Sequence, residues 1–192
     1  MNLNDISPRE KYKEFYRKNI EQMQLLVRDN RTPLTMKDII ERRINSSQVD
    51  WRNNYFDTCD AIVQFNGEIK VIKNCNVLKS MNKDTKIENG GIKITEKQFK
   101  NLKGKKFKIK GMKLNEYLTK KEAKSHPIWK YLLGNLLNKY ADLVFSINSE
   151  DNMAIWTNTE NLILRAWCVG RLGSGSDAGG RGGVAVMVAS SV

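Results

Sequence analysis

Leu162-Ile163-Leu164-Arg165-Ala166-Trp167-Cys168-Val169-Gly170-Arg171-Leu172-Gly173-Ser174-Gly175-Ser176-Asp177-Ala178-Gly179-Gly180 is the stretch on which the reading of this chain turns. From Arg165 to Val192 the residues hold seven of the thirteen glycines and no Lys, Glu, Asn, Gln, Ile, Phe or Tyr, although the chain before them is rich in Lys, Asn and Ile. Such a shift in composition ordinarily marks a linker or a tail. Here two apolar groups, residues 166–169 and 184–188, flank the glycines. That arrangement predicts a strand, a glycine-rich loop and a second strand, all folded.

One motif in this stretch misleads. Gly173-Ser174-Gly175-Ser176-Asp177-Ala178 satisfies G-x-G-x-x-A, the dinucleotide fingerprint. That chemistry requires a helix whose N-terminus meets the pyrophosphate. Gly179-Gly180-Arg181-Gly182-Gly183 follows instead, and such a run does not hold a helix. Nine residues then remain, too few for a second strand and a ribose-binding acid. The expectation is therefore no cofactor.

Working outward, the earlier chain reads as alternating helices and short strands. Ser7, Pro8 and Glu10 open an amphipathic helix that runs to about Arg28. Thr35 with Asp38 caps a shorter helix whose inner face is Met36, Ile39, Ile40 and Ile44. Residues 59–65 and 68–72 form two strands joined at Asn66-Gly67, a dipeptide that tolerates the positive φ of a two-residue hairpin. Asn89-Gly90-Gly91 is a turn, and Thr95 to Gln98 is a capping box. Residues 106–110 alternate with period two and read as an edge strand guarded by lysines. Thr119 with Glu122 makes another box. His126-Pro127 starts an apolar helical stretch through Phe145, and a turn at 148–152 precedes a strand-like 153–156. The class is α+β.

Composition narrows the chemistry. The 192 residues carry 33 Lys and Arg against 21 Asp and Glu, a formal charge of +12. That balance permits an acidic partner without requiring one. No apolar run approaches a membrane span, which speaks against an integral membrane protein, and the N-terminus lacks the parts of a secretory signal. With one histidine, His126, histidine-rich metal sites and Ser–His–Asp arrangements have little to draw on. Cys59, Cys75 and Cys168 form no C-x-x-C pair and read as isolated buried thiols. The expectation is a protein that is not an enzyme and holds no metal.

Three constellations remain. The stretch bounded by Lys97 and Lys113 holds eight lysines, no acid and no arginine, with Phe99 and Phe107 between them. It is suited to neutralising nucleic-acid phosphates without reading sequence, but lacks the arginine fork of bidentate recognition. Asp57, Asp60, Glu150 and Asp151 match no metal loop and read as surface carboxylates. His126 reads as a cap or a packed side chain.

The opening stretch resembles the diversified C-terminus of retroelement variable proteins, and among them the archaeal group. The resemblance lies in Leu164-Arg165-Ala166, then Val169-Gly170, then Leu172-Gly173, then Ser176-Asp177-Ala178-Gly179 before a short apolar strand. Phe56-Asp57-Thr58-Cys59-Asp60 and His126-Pro127-Ile128-Trp129 resemble family members more loosely. The resemblance implies a C-type lectin fold, with helices packed on short, mostly antiparallel strands. It also implies adenine mutagenesis by a diversity-generating retroelement, which rewrites asparagine codons above all. Randomising the first two bases of such codons never yields Lys, Glu, Gln, Met or Trp. The missing Lys, Glu and Gln agree; Trp167 and Met187 need other codons or a fixed role. The family's Gly-Val-Arg-like ending does not occur at Ser190-Ser191-Val192.

On that reading a scaffold at 1–164 carries a variable region at 165–192, within one domain. Strand geometry then assigns the faces. With Leu162, Leu164, Ala166 and Cys168 turned inward, Arg165, Trp167, Val169 and Arg171 turn outward. The ligand-binding set is Trp167, Val169, Arg171, Ser174, Gly175, Asp177, Gly179, Arg181, Gly182, Gly183 and Ala185. Leu172, Ala178, Val184 and Val186 are scaffold candidates, and Ser176 secures the loop. The implied partner is a protein or a cell-surface molecule. The sequence contains neither the Glu-Pro-Asn-like nor the Trp-Asn-Asp-like ligand sets of calcium-dependent lectins, so no calcium-dependent sugar site is expected. Nucleic acid bound by the lysine stretch is the alternative.

Overall fold

The computed structural model describes residues 32–45, 51–52, 56–157, 160–170, 172 and 187–188. The helix expected between Ser7 and Arg28 lies outside them. The first element among the described residues is the short strand β1 (Thr32–Pro33), followed by helix α1 (Met36–Asn45). Asp38 accepts the backbone N–H of Thr35 at 2.9 Å, and the Thr35 hydroxyl accepts that of Asp38 at 3.2 Å. Two otherwise unpaired N–H groups at the helix start are thereby satisfied. Met36, Ile39 and Ile40 are fully buried, as the spacing predicts, and Arg43 joins them.

Strands β2 (Phe56–Phe65) and β3 (Glu68–Ile72) form the expected hairpin. Phe65 pairs with Glu68 across Asn66 and Gly67, whose φ values are 48° and 75°. Positive φ at both central residues gives the turn a twist that matches its strands. Next come helix α2 (Asn76–Lys79), strand β4 (Ile92–Lys93), helix α3 (Glu96–Asn101) and strand β5 (Lys105–Lys108). The Thr95–Gln98 capping box is present. Helix α4 (Lys120–Ser125) carries the Thr119–Glu122 box, and helix α5 (Pro127–Leu133) starts on His126. The His126 Nδ1 accepts the N–H of Ile128 at 3.3 Å while Nε2 lies 3.1 Å from the carbonyl oxygen of Lys113. The residue is therefore both a cap and packed.

Two expectations need correction. The apolar stretch after Pro127 is interrupted: Gly134, at φ 55°, ends α5, and a 3-10 turn at Gly134–Leu136 leads into α6 (Leu137–Ser146). Apolar spacing runs across the break because both helices bury the same side. Residues 153–156 form no strand; Met153 ends a 3-10 turn (Glu150–Met153), and Trp129 Nε1 donates to its carbonyl oxygen at 2.7 Å.

Strand β6 (Ile163–Val169) completes a five-stranded sheet in the order β4-β6-β2-β3-β5, every pairing antiparallel. Lysine-guarded β5 is an edge strand, as expected. The last strand among the described residues, β7 (Met187–Val188), pairs with β1. Helices cover both faces of the sheet. On one side Ile62, Ile69, Val71, Phe107, Trp167 and Val169 pack against α1, α5 and α6. On the other, Ala61, Val63, Ile72 and Leu164 pack under Leu78 and Phe99. No helix among the described residues is long and apolar enough to cross a membrane.

Candidate functional site

β6 is an interior strand covered on both sides, so alternation alone does not separate inside from outside. The structure overturns the outward assignment of two candidates. Trp167 is 7% exposed and Val169 3%, and both belong to the larger core. Trp167 stays inside because its ring meets Trp129 edge to face, with centroids 5.8 Å apart. Leu164 and Ala166 face the smaller core, as their inward assignment required, with Leu162 packed against it just before the strand. Cys168, assigned inward, is exposed; Cys59 and Cys75 are the buried thiols. A boundary between Leu164 and Arg165 would cut β6 in two.

Beyond β6 the chain is held at two places. Gly170 passes so near Asn152 that a Cβ there would lie 2.9 Å from its Oδ1. Leu172, 2% exposed, is buried in the larger core as a scaffold residue should be. Its N–H donates to the carbonyl oxygen of Arg52 at 2.5 Å, and its own carbonyl accepts the Ser149 hydroxyl at 3.2 Å. The second hold is β7, where Met187 pairs with Pro33 and Val188 with Thr32. β1 is tied to the main sheet in turn, since the N–H of Cys59 donates to the Leu34 carbonyl at 2.9 Å. Ser174, Gly175, Asp177, Gly179, Arg181, Gly182, Gly183 and Ala185 lie in sequence between these anchors. They fall outside the described residues, as do Arg171, Ser176, Ala178, Val184 and Val186.

Under the exit of β6 lies a buried polar group that composition did not reveal. Asp57, the register partner of Cys168, is 1% exposed, and no N–H or O–H group among the described residues donates to its carboxylate oxygens, leaving the Cys168 thiol as the donor beside them. Burial pushes its carboxyl up to about 7, with the Cys168 thiol pulling the other way. Asp60 is buried as well, but each oxygen accepts a backbone N–H at 2.7 Å, from Met36 and from Asn74. Neither is the surface carboxylate expected; Asp151 is exposed and Glu150 half-buried. The signal for Asp57 was its place between Phe56 and Thr58 in an apolar strand. Among the described residues no group of three His, Cys, Asp or Glu side chains gathers to hold a metal ion.

All eight lysines from Lys97 to Lys113 are exposed. Lys106 pairs with Glu68 at 3.0 Å and Lys113 with Glu122 at 2.6 Å. The interspersed aromatics are not available to stack on bases: Phe99 is 2% exposed and Phe107 7%, each in a core.

A solved structure bearing the description "Accommodation of massive sequence variation in Nanoarchaeota by the C-type lectin fold" is similar to this chain. The TM-score is 0.66 over 93% of this chain and 96% of that one, at 16% sequence identity. No family model matches the sequence, and no curated protein does. At that identity the likeness is one of architecture, and it extends over nearly the whole of both chains: this protein has the C-type lectin fold.

Proposed function

We propose that this chain is a non-enzymatic ligand-binding protein whose recognition surface is Arg171 and the segment between Leu172 and Met187. Adenine mutagenesis by a diversity-generating retroelement varies that segment, and the partner is a protein or a cell-surface molecule. The observation carrying this reading is that both ends of the segment are secured by backbone hydrogen bonds and strand pairing. Side chains between two such anchors can change without changing the path into or out of them. The solved neighbour is described as accommodating massive sequence variation, and the same economy suits this chain. With Trp167 and Val169 committed to the core, the variable positions narrow to Arg171 and the eight residues from Ser174 to Ala185 named above. Mostly small side chains make this variant's surface shallow, with charge from Arg171, Asp177 and Arg181 and no aromatic anchor.

The test is a display library randomised at those nine positions. Members are expected to keep the parent melting temperature within a few degrees and to yield binders to unrelated protein targets on selection. Unfolding of most members, or no binder from a diverse library, would overturn the proposal. A near-identical template repeat in the neighbouring DNA, differing at adenines, is the expected genetic counterpart.

A further inference from the structure

Two lysines from separate parts of the fold gather at one tyrosine, and a third acts on one of them by repulsion. Lys73 follows β3, and its Nζ sits 4.4 Å from the centre of the Tyr131 ring. Lys105 opens β5, with its Nζ 5.6 Å from the same ring and 5.4 Å from that of Phe107. The ring is held in turn, since Tyr131 meets the buried Phe107 edge to face at 5.9 Å. Lys37, in the first turn of α1, adds a third charge that repels Lys73. The Lys73 ammonium gives up its proton more readily than an ordinary lysine. Desolvation is the main cause, Asp60 opposes it, and Lys37 and Lys105 add to it by repulsion.

No ion pair among the described residues ties down this cluster. Lys106, Lys113, Lys120 and Lys124 all form ion pairs, whereas Lys37, Lys73 and Lys105 form none among the described residues. Asp60 is the acid acting on Lys73, but it does so without an ion pair, its oxygens accepting the N–H groups of Met36 and Asn74. Converging like charges raise the energy of the site until an anion enters. An ammonium resting on an aromatic face keeps N–H donors free for oxygen.

We infer that Lys73 and Lys105 at the Tyr131 ring, together with Lys37, form a binding site for a multiply charged phosphate anion. Lysines act as point charges and lack the arginine fork, so the site selects charge density over shape. β3 ends and β5 begins toward the end of the sheet where β6 runs out. Lys37 follows β1, the strand on which β7 returns. The anion therefore binds through side chains outside the proposed recognition segment, and the two proposals fail independently.

Inorganic triphosphate titrated calorimetrically into the full chain is the first test. Saturable binding with one site, weakening as salt rises, is expected. The triple variant K37Q/K73Q/K105Q should lose at least about tenfold in affinity. The triple variant K97Q/K100Q/K110Q removes the same charge from exposed positions and should change it by less than about twofold. Equal losses in both would reduce the effect to bulk charge and overturn the site, as would a failure to saturate. Melting curves accompany each variant, and Lys73→Gln alone substitutes for a triple that does not fold. A mixed-sequence single-stranded oligonucleotide distinguishes the sources. Competition with triphosphate through these lysines assigns the site to a nucleic-acid backbone, and triphosphate binding without competition assigns it to a free phosphate.

Discussion

The indole of Trp167 on β6 stands edge to face against that of Trp129 on α5, 5.8 Å between ring centres and 62° between planes. This contact joins the last long strand of the sheet to the central helices. It also removes position 167 from any surface that can vary freely. Trp167→Ala should cost about 3–5 kcal/mol of stability, the usual loss for emptying a large aromatic site, and Trp167→Phe clearly less. Urea unfolding of the two variants measures the difference; a Trp167→Ala variant as stable as the parent would return the residue to the variable set.

Asp57 predicts a dependence on pH. Its folded carboxyl stands at about 7 against an ordinary 3.8. Between those values the folded state holds a proton that the unfolded state has released, so this residue makes stability fall as pH rises. The loss begins near pH 4 and is complete above pH 7, where it reaches about 4 kcal/mol. Asp57→Asn should therefore be more stable than the parent at pH 8, with the gap closing as pH falls toward 4. Denaturant midpoints across that range test the slope. A constant gap would mean that the carboxyl ionises normally.

Gly91 lies where β4 meets β6. A Cβ there would stand 2.5 Å from Ile163 Cγ2 and 2.6 Å from the carbonyl oxygen of Leu164. One of these neighbours is backbone and does not yield easily. Gly91→Ala should destabilise the protein by about 1–3 kcal/mol, as overpacking does, seen as a lower melting temperature with the sheet signal retained.

Lys70 is a lysine employed inside the fold. It is 2% exposed, and its Nζ donates to the carbonyl oxygen of Leu102 at 3.0 Å and to that of Phe99, at the end of α3. Lys70→Met keeps the stem and removes these donors, leaving carbonyls without partners. The expected cost is about 1–3 kcal/mol, with hydrogen exchange at the α3 amides rising more than at α5.

Local signals carried far along this chain. Thr95, Thr119 and His126 sit at helix starts as their neighbours dictate, and Asn66-Gly67 closes its hairpin, because each depends on side chains only a few residues away. The orientation of β6 was not legible in this manner. Apart from Arg165 its odd and even residues are both apolar because both faces are covered, so periodicity allowed either assignment and only packing against Trp129 settled it. Asp57 and Asp60 misled for a related reason. Carboxylates are ordinarily exposed, and their burial follows from a strand lying at the centre of a sheet that its own residues do not announce. The break at Gly134 was hidden by apolar positions running across it. Of the proposed site, the composition of 165–192 was plain in the chain itself, while the holds at Leu172 and Met187 are not.

What the amino-acid sequence determined alone was the set of elements with local causes: caps, the hairpin, the lysine-guarded edge and the odd composition of the last stretch. These rest on interactions that close within a few residues, which any neighbouring sequence exhibits directly. What only the tertiary structure decided was which face of β6 is inside, which acids lose their solvent, and that Lys73 and Lys105 meet at Tyr131. Those depend on residues far apart in the chain, and no local pattern records the geometry that folding imposes on them.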